Sequence, residues 1–296
     1  AQQFLNKPCE PGTVEAVINQ AIALRDLLQN RAVMEIVGRI ESLPAMPRVY
    51  KELSEVLSDP NTGVKEVTAV VEEDVGISAR VLQLSNSGFF SPRRPITDVE
   101  IAISRMGFQT VRSLAMSHEL FHETEVTPDL VEFMEELHRH SLIAANLARM
   151  CCIEDVDKDT AFLAGMLHDV GKLVLASGCP EAFLEVREME ATGEYDSVSA
   201  EREVLGTTHA EVGAYLLGLW GLPYPVVEAV AHHHEPQRME VTDPGLLLSV
   251  HVSNGLARGD LEMIDPAFVA DLGAEAALLE WKELEAARLS GPAEAA

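Results

Sequence analysis

Basic residues are scarce: 22 lysines and arginines stand against 48 aspartates and glutamates, a formal net charge of −26 at pH 7. Affinity for nucleic-acid duplexes comes largely from Lys and Arg displacing counterions, so this balance argues against wrapping a nucleic-acid polymer. It leaves room for a small phosphorylated ligand. Screening over about 8 Å at physiological ionic strength lets the local site decide anion binding, and the acidic excess reads as a solvated surface. Long apolar runs are also lacking. None approaches the roughly 18 residues of a membrane span, and no basic segment precedes an apolar one near the N-terminus, so no membrane association is expected. The four cysteines, Cys9, Cys151, Cys152 and Cys179, have no CxxC spacing and two are adjacent. That pattern suits neither a zinc knuckle nor a disulfide framework and points to a reducing cytoplasm. Aromatic residues are only 5% of a chain that is 47% hydrophobic, as in helices rich in Ala, Leu and Val. The 296 residues suit one large or two modest domains.

What is present is helical periodicity, with no strand-length alternation to compete with it. Residues 13–41 space apolar side chains for a lead-in helix or two, with Thr13 as N-cap, until LPAMP at 43–47 interrupts. Short amphipathic stretches follow, punctuated by Asp59-Pro60, Gly63 and Gly76, and predict a bundle of about five helices over 43–125. Asn86-Ser87 is read as a helix-ending cap before Phe89-Phe90. From Pro128 the helices lengthen and carry histidines, with candidates at 129–151, 159–176, 180–192, 196–205, 208–219, 223–234, 244–258 and about 275–289. The expected divisions are 1–42, 43–127 and 128–296. The tail SGPAEAA is expected to fray.

The densest chemistry lies in AFLAGMLHDVGK, where His168 and Asp169 are adjacent in an apolar helical stretch. Burying an imidazole beside a carboxylate needs compensation, either by hydrogen bonds within the core or by a divalent metal. Glu136 and His140 are four apart and project from one helical face, while His138 falls on another face and is expected at the surface. His209 follows Thr207-Thr208 at a helix start, where it could serve solvation alone. The run His232-His233-His234 ends a helix. Successive residues turn by about 100°, so at most two can converge, and the alternative role is charge at a helix C-terminus. Asn254 lies late in the chain, a weak neutral donor. Lys172, read from its position alone, is a snorkelling surface lysine.

In order, these residues resemble the HD superfamily of metal-dependent phosphohydrolases: a histidine, the His168-Asp169 pair, His209, His233-His234 and a late Asp-like position. HDVGK at 168–172 and HHE at 233–235 resemble its two-metal form. LPAMPRVYKELSEVLSDP, VEEDVGISARVLQLSNSGFF, VEIAISRMGFQTVRSLAMS and HAEVGAYLLGLWGLPYPVVEAVAHHHE resemble the HDOD family, a regulatory branch, over roughly 40–260. The resemblance implies an all-α fold, an N-terminal bundle of short helices followed by an HD-like helical domain. It further implies a centre of one or two divalent transition metals, with Asp169 bridging and Glu136, His140, His168, His209, His233 and His234 as terminal ligands. Mixed imidazole and carboxylate donors suit Fe, Mn or Zn alike. In catalytic relatives such a centre activates water on a phosphate ester, and Lys172 would face the phosphoryl group.

Two departures bear on function. Asn254 stands where catalytic relatives end the metal set with Asp. The Gly-Tyr-Pro signature that follows HHE in cyclic-di-GMP phosphodiesterases is replaced by PQRMEVTDPG, which disfavours that substrate. Three functions stay open: a cytoplasmic signalling protein with a metal centre, sensing a phosphorylated or nucleotide ligand and working with a protein partner; an active phosphohydrolase; or a metal-free interaction scaffold. The N-terminal bundle, which carries no ligand-like cluster, is expected to contact a partner or the HD-like half.

Overall fold

Part of the acidic excess has a local use. Among the described residues, six α-helices open on an aspartate whose side chain accepts a backbone N–H two or three residues on: Asp74, Asp98, Asp157, Asp196, Asp243 and Asp265. Each such cap satisfies a donor that the helix start leaves unpaired, worth about 0.5–2 kcal/mol, and places negative charge at the positive end of the dipole. These carboxylates are structural as well as solvated.

The structure, a computed structural model, describes residues 31–290 apart from 39, 41–42, 45, 89, 91–94, 125 and 238–240. The described residues form helices without a strand: α1 Arg31–Val37, α2 Arg48–Val56, α3 Val64–Glu72, α4 Val75–Ser85, α5 Val99–Met106, α6 Phe108–Glu123, α7 Val131–Met150, α8 Lys158–Leu167, α9 Val170–Gly178, α10 Pro180–Ala191, α11 Ser197–Leu205, α12 His209–Leu219, α13 Tyr224–His232, α14 Pro244–Arg258, α15 Pro266–Asp271 and α16 Glu275–Ser290. The fold is all-α, as the sequence indicates, and the five helices expected over 43–125 are α2–α6. Of the lead-in segment, α1 is described; Thr13 and the tail after Ser290 lie outside the described residues. No described helix is long and apolar enough to cross a membrane.

One apolar core runs from Val33 to Val250 and passes without a break across residue 128. A smaller one joins the ends of α7 and α14 to Phe268 and Trp281. Arg149 on α7 bonds Thr110 on α6 at 3.0 Å and Asp159 on α8 at 2.9 Å, a polar tie at the edge of the main core. Asn86 does more than cap α4: its amide bonds the carbonyls of Leu82 and Ile96, and its Oδ1 accepts from Ile96 N–H at 2.7 Å. It thereby closes the connection to α5.

The helix expected over 159–176 is two helices. α8 ends at Leu167, His168 and Asp169 form the turn, and α9 begins at Val170. Asp169 sits at φ −99°, ψ 11°, outside helical values. The His168 ring donates from Nδ1 to the Gly165 carbonyl at 2.8 Å, satisfying one of the acceptors that a helix end exposes.

At Gly171, α9 meets the backbone of α12 directly. A Cβ on Gly171 would overlap the His209 carbonyl oxygen and come within 2.7 Å of Gly213 N. Both obstacles are backbone, which cannot rotate aside as a side chain can. Gly171→Ala is expected to destabilise the protein by about 3 kcal/mol, at the upper end for overpacking. A thermal melt checks this, and an unchanged melting temperature would mean that α9 can withdraw without loss.

Candidate metal centre

Five separate pieces of backbone bring the ligand-type residues together. His140 comes from the middle of α7, His168 and Asp169 from the α8–α9 turn, His209 from the first position of α12, His233 and His234 from the turn that closes α13, and Asn254 from late α14. Each local sequence explains its placement. Thr208 caps α12 by accepting Glu211 N–H, while the Glu211 side chain reaches back to Thr208 N–H, a capping box that fixes His209 in the first turn. His233 and His234 lie past the last helical residue of α13, so two neighbours converge where the regular 100° step no longer holds.

Asp169, completely buried, is the junction. Its Oδ2 lies 3.4 Å from His168 Nε2 and 3.7 Å from His140 Nε2. Its Oδ1 lies 3.1 Å from His209 Nε2 and 3.7 Å from His233 Nε2. Two ligand groups result, His140–His168–Asp169 and Asp169–His209–His233–His234, with the ligand atoms of each within 4.8 Å of one another. Asn254 Oδ1 joins the first group at 3.1 Å from His140 Nε2.

The imidazoles are oriented from behind. His168 Nδ1 bonds Gly165 O, His233 Nδ1 bonds Val230 O at 2.7 Å, and His209 Nδ1 bonds the buried Glu201 carboxylate at 2.7 Å. A backbone carbonyl can only accept, so His168 and His233 carry a proton on Nδ1 and turn Nε2 inward. Glu201 also accepts His209 N–H at 2.8 Å. Such outer partners fix ring orientation in metal-binding histidines.

These donors fit a divalent cation. Asp169 Oδ1 and His233 Nε2 are buried without a geometrically formed hydrogen bond. Nε2 atoms face each other at 3.2 Å between His140 and His168, and at 3.1 Å between His234 and His209. Buried polar atoms are rarely left unpaired, and the two left so here belong to a set of ligand atoms gathered within 4.8 Å, where a cation would satisfy them.

Burial and neighbouring charge set the protonation states. Burial, reinforced by His168, lowers the His140 pKa to about 3. Burial also lowers His233 to about 3 and holds His234 well below its ordinary value. For His209 burial is outweighed by the Glu201 carboxylate, and its pKa is raised. Burial would raise Asp169, but Lys172 and His168 hold it well below the usual carboxylate range. Burial lowers Lys172, opposed by Asp169.

Some expected residues are placed elsewhere. Glu136 is exposed one turn before His140 and belongs to neither ligand group. A helix advances about 6 Å over four residues, which carries Glu136 past the rim while His140 reaches in. His138, expected at the surface, is buried and stacks on Phe121 at 4.6 Å between ring centroids. Lys172 is not a surface lysine: it is buried, with Nζ 2.8 Å from Asp169 Oδ2. His232 stays outside both groups.

Three further residues were not anticipated. Glu201 carries no sequence signal: it lies on α11, eight residues before His209, and the short connection between the two helices brings it behind the ring. Arg258 bonds Asn254 Oδ1 from Nε at 3.1 Å and approaches Asp169 Oδ2 at 3.4 Å from Nη2; its spacing of four from Asn254 was the available clue. His251 donates from Nδ1 to the His233 carbonyl at 2.7 Å and accepts Asp265 N–H on Nε2 at 2.8 Å.

A family model for the HDOD domain matches residues 43–236. That span holds all the expected ligand residues except Asn254. An HDOD domain protein of unknown function from Geobacter sulfurreducens has the same fold, with a TM-score of 0.70 at 22% identity over 90% of this chain and 94% of that one. A Marinobacter aquaeolei VT8 protein provisionally named for signal transduction gives 0.66 at 25% identity, over 92% of this chain and 63% of that one. A Shewanella amazonensis SB2B protein provisionally named a phosphohydrolase gives 0.63 at 25% identity, over 89% and 96%. The chain spans only 39% and 17% of the lengths of two curated relatives it matches.

The protonation states generate a pH dependence. The unfolded chain protonates its histidines near 6.5, whereas folded His140 and His233 refuse protons until about pH 3. Their contribution to stability is present above pH 6.5 and is lost progressively between 6.5 and 3. His209, raised, works in the opposite sense: its contribution is full below 6.5 and lost as pH rises through its folded value. With His140, His233 and His234 lowered and His209 raised, the metal-free protein should melt at lower temperature as pH falls from 7 to 4. Melting scans of the protein and of His233→Gln check this, the variant showing the shallower slope.

Proposed function

The chain belongs to the HDOD family, and on that premise we propose that it is a cytoplasmic regulatory protein whose HD-type centre holds a divalent transition metal and binds a phosphorylated or nucleotide ligand. The observation that carries this reading is the single buried carboxylate of Asp169 shared by two groups of inward-facing imidazoles. The buried Asp169 Oδ1 and His233 Nε2 without hydrogen-bond partners support this reading over a metal-free scaffold.

When bound, a divalent ion supplies Lewis-acid charge to phosphoryl oxygens. The chain's own residues do the rest. Lys172 and Arg258 set two cations beside the centre, matching the charge of a phosphate group. Arg258 and His140 keep 34% and 15% of their side-chain surface exposed while Asp169 keeps none, so a ligand would arrive from the side of α7 and α14. The protein partner of the regulatory role is proposed on family grounds, in line with the naming of the Marinobacter protein.

A second reading, phosphohydrolase, is supported by one observation: the orienting bonds behind His168, His209 and His233 are all intact, and such bonds serve metal-dependent activity as well as metal affinity. Cyclic-di-GMP stays disfavoured for want of the Gly-Tyr-Pro signature.

Elemental analysis of protein purified without chelator should find Mn, Fe or Zn, absent from Asp169→Ala. Calorimetry against nucleotides and phosphate esters should find a ligand whose affinity drops at least about tenfold in Lys172→Met, the loss expected for a charged hydrogen bond. Metal-free protein that stays so after incubation with all three metals would overturn the proposal. Metal-dependent turnover of a phosphate ester, abolished in Asp169→Asn, would establish the second reading.

A further inference from the structure

The two ligand groups share one carboxylate and differ sharply in charge. Around Oδ2 of Asp169, the His140 and His168 imidazoles compete with Lys172 Nζ at 2.8 Å and Arg258 Nη2 at 3.4 Å. The remaining donor on that side, Asn254 Oδ1, is neutral and already accepts from Arg258 Nε at 3.1 Å. Around Oδ1 the described neighbours are imidazoles, those of His209 and His233, and the atoms without hydrogen bonds are found here. Behind His209 stands Glu201, only 1% exposed, which makes that ring a stronger donor.

A cation drawn to Oδ2 must therefore share its oxygen with two existing positive charges and find no anionic ligand beyond Asp169. One drawn to Oδ1 meets three imidazoles, one of them backed by a second carboxylate. Like charges a few ångströms apart in a poorly solvated site repel strongly.

We propose that this chain holds one tight metal ion, on the His209–His233–His234 side of Asp169, and that Arg258 with Lys172 keeps the His140–His168–Asn254 side free of a second. Arg258 is thus a positioning residue that sets the nuclearity of the centre. This inference rests on the metal-centre reading above and specifies which half of the site carries it.

Titration of the metal-free full chain with Mn(II), followed by equilibrium dialysis and electron paramagnetic resonance, tests it without any substitution. One equivalent should bind with an uncoupled Mn(II) spectrum, and any second should be weaker by at least about 100-fold. His234→Gln and Glu201→Gln should each weaken the tight ion by about 10–100-fold, while His140→Gln leaves it in place. The double variant Asn254→Asp with Arg258→Ala should gain a second tight equivalent and an exchange-coupled spectrum. Two equivalents of similar affinity with a coupled spectrum in the unaltered protein would overturn the inference and leave the metal-centre reading standing. So would loss of the tight ion in His140→Gln with retention in His234→Gln. Failure to bind any Mn(II), Fe(II) or Zn(II) would overturn both.

Discussion

A fully buried carboxylate is the constraint on which the rest of this molecule depends. Asp169 has no exposed surface, and an isolated ionised group so placed would lose hydration worth several kcal/mol. What holds it ionised is a shell gathered from distant sequence: Lys172 three residues on, His209 forty away and Arg258 eighty-nine away. No one helix could supply that shell. α7, α9, α12 and α14 and the turn after α13 must all be docked before the carboxylate is compensated, so the helical packing and the site form one cooperative unit.

The same local device appears twice in that shell. His168 and His233 each sit just past the end of a helix, and each ring bonds the carbonyl three residues back, Gly165 and Val230. A helix C-terminus exposes carbonyls that lack partners. Here those carbonyls select the tautomer and aim of an imidazole. His209 is held differently, at the start of a helix, where no such carbonyl is available, and the buried Glu201 takes that part. Three rings are therefore oriented by backbone or by a neighbour that is itself immobilised by burial, which leaves little freedom for the donors to drift.

Much of this was legible in the sequence, and the failures are instructive. Apolar periodicity located the helices because burial on one face imposes it. His140, His168, Asp169, His209, His233 and His234 were legible as a set because several costly residues occurred in an order that resembles a known one. The break between α8 and α9 was not, because the apolar pattern of AFLAGMLHDVGK continues across it; at the break the His168 ring bonds the Gly165 carbonyl. Glu136 had the right face and the wrong height on α7. His138 looked like a surface residue because its cover, Phe121, lies on another helix. Glu201 was invisible for a related reason: a glutamate in SVSAERE resembles any solvated one until the turn after α11 brings His209 onto it.

His251 belongs to neither ligand group, yet both its ring nitrogens are engaged, one with the turn that carries His233 and the other with the backbone at the start of α15. That ring joins the site to the smaller apolar core around Phe268 and Trp281. The family match ends at residue 236, but Asn254 and Arg258 lie beyond it, and the anchor of the His233 turn reaches to Asp265. The physical boundary of the site is therefore drawn by α14 and α15, and a fragment trimmed to the recognised family segment would contain the histidines without the frame that aims them.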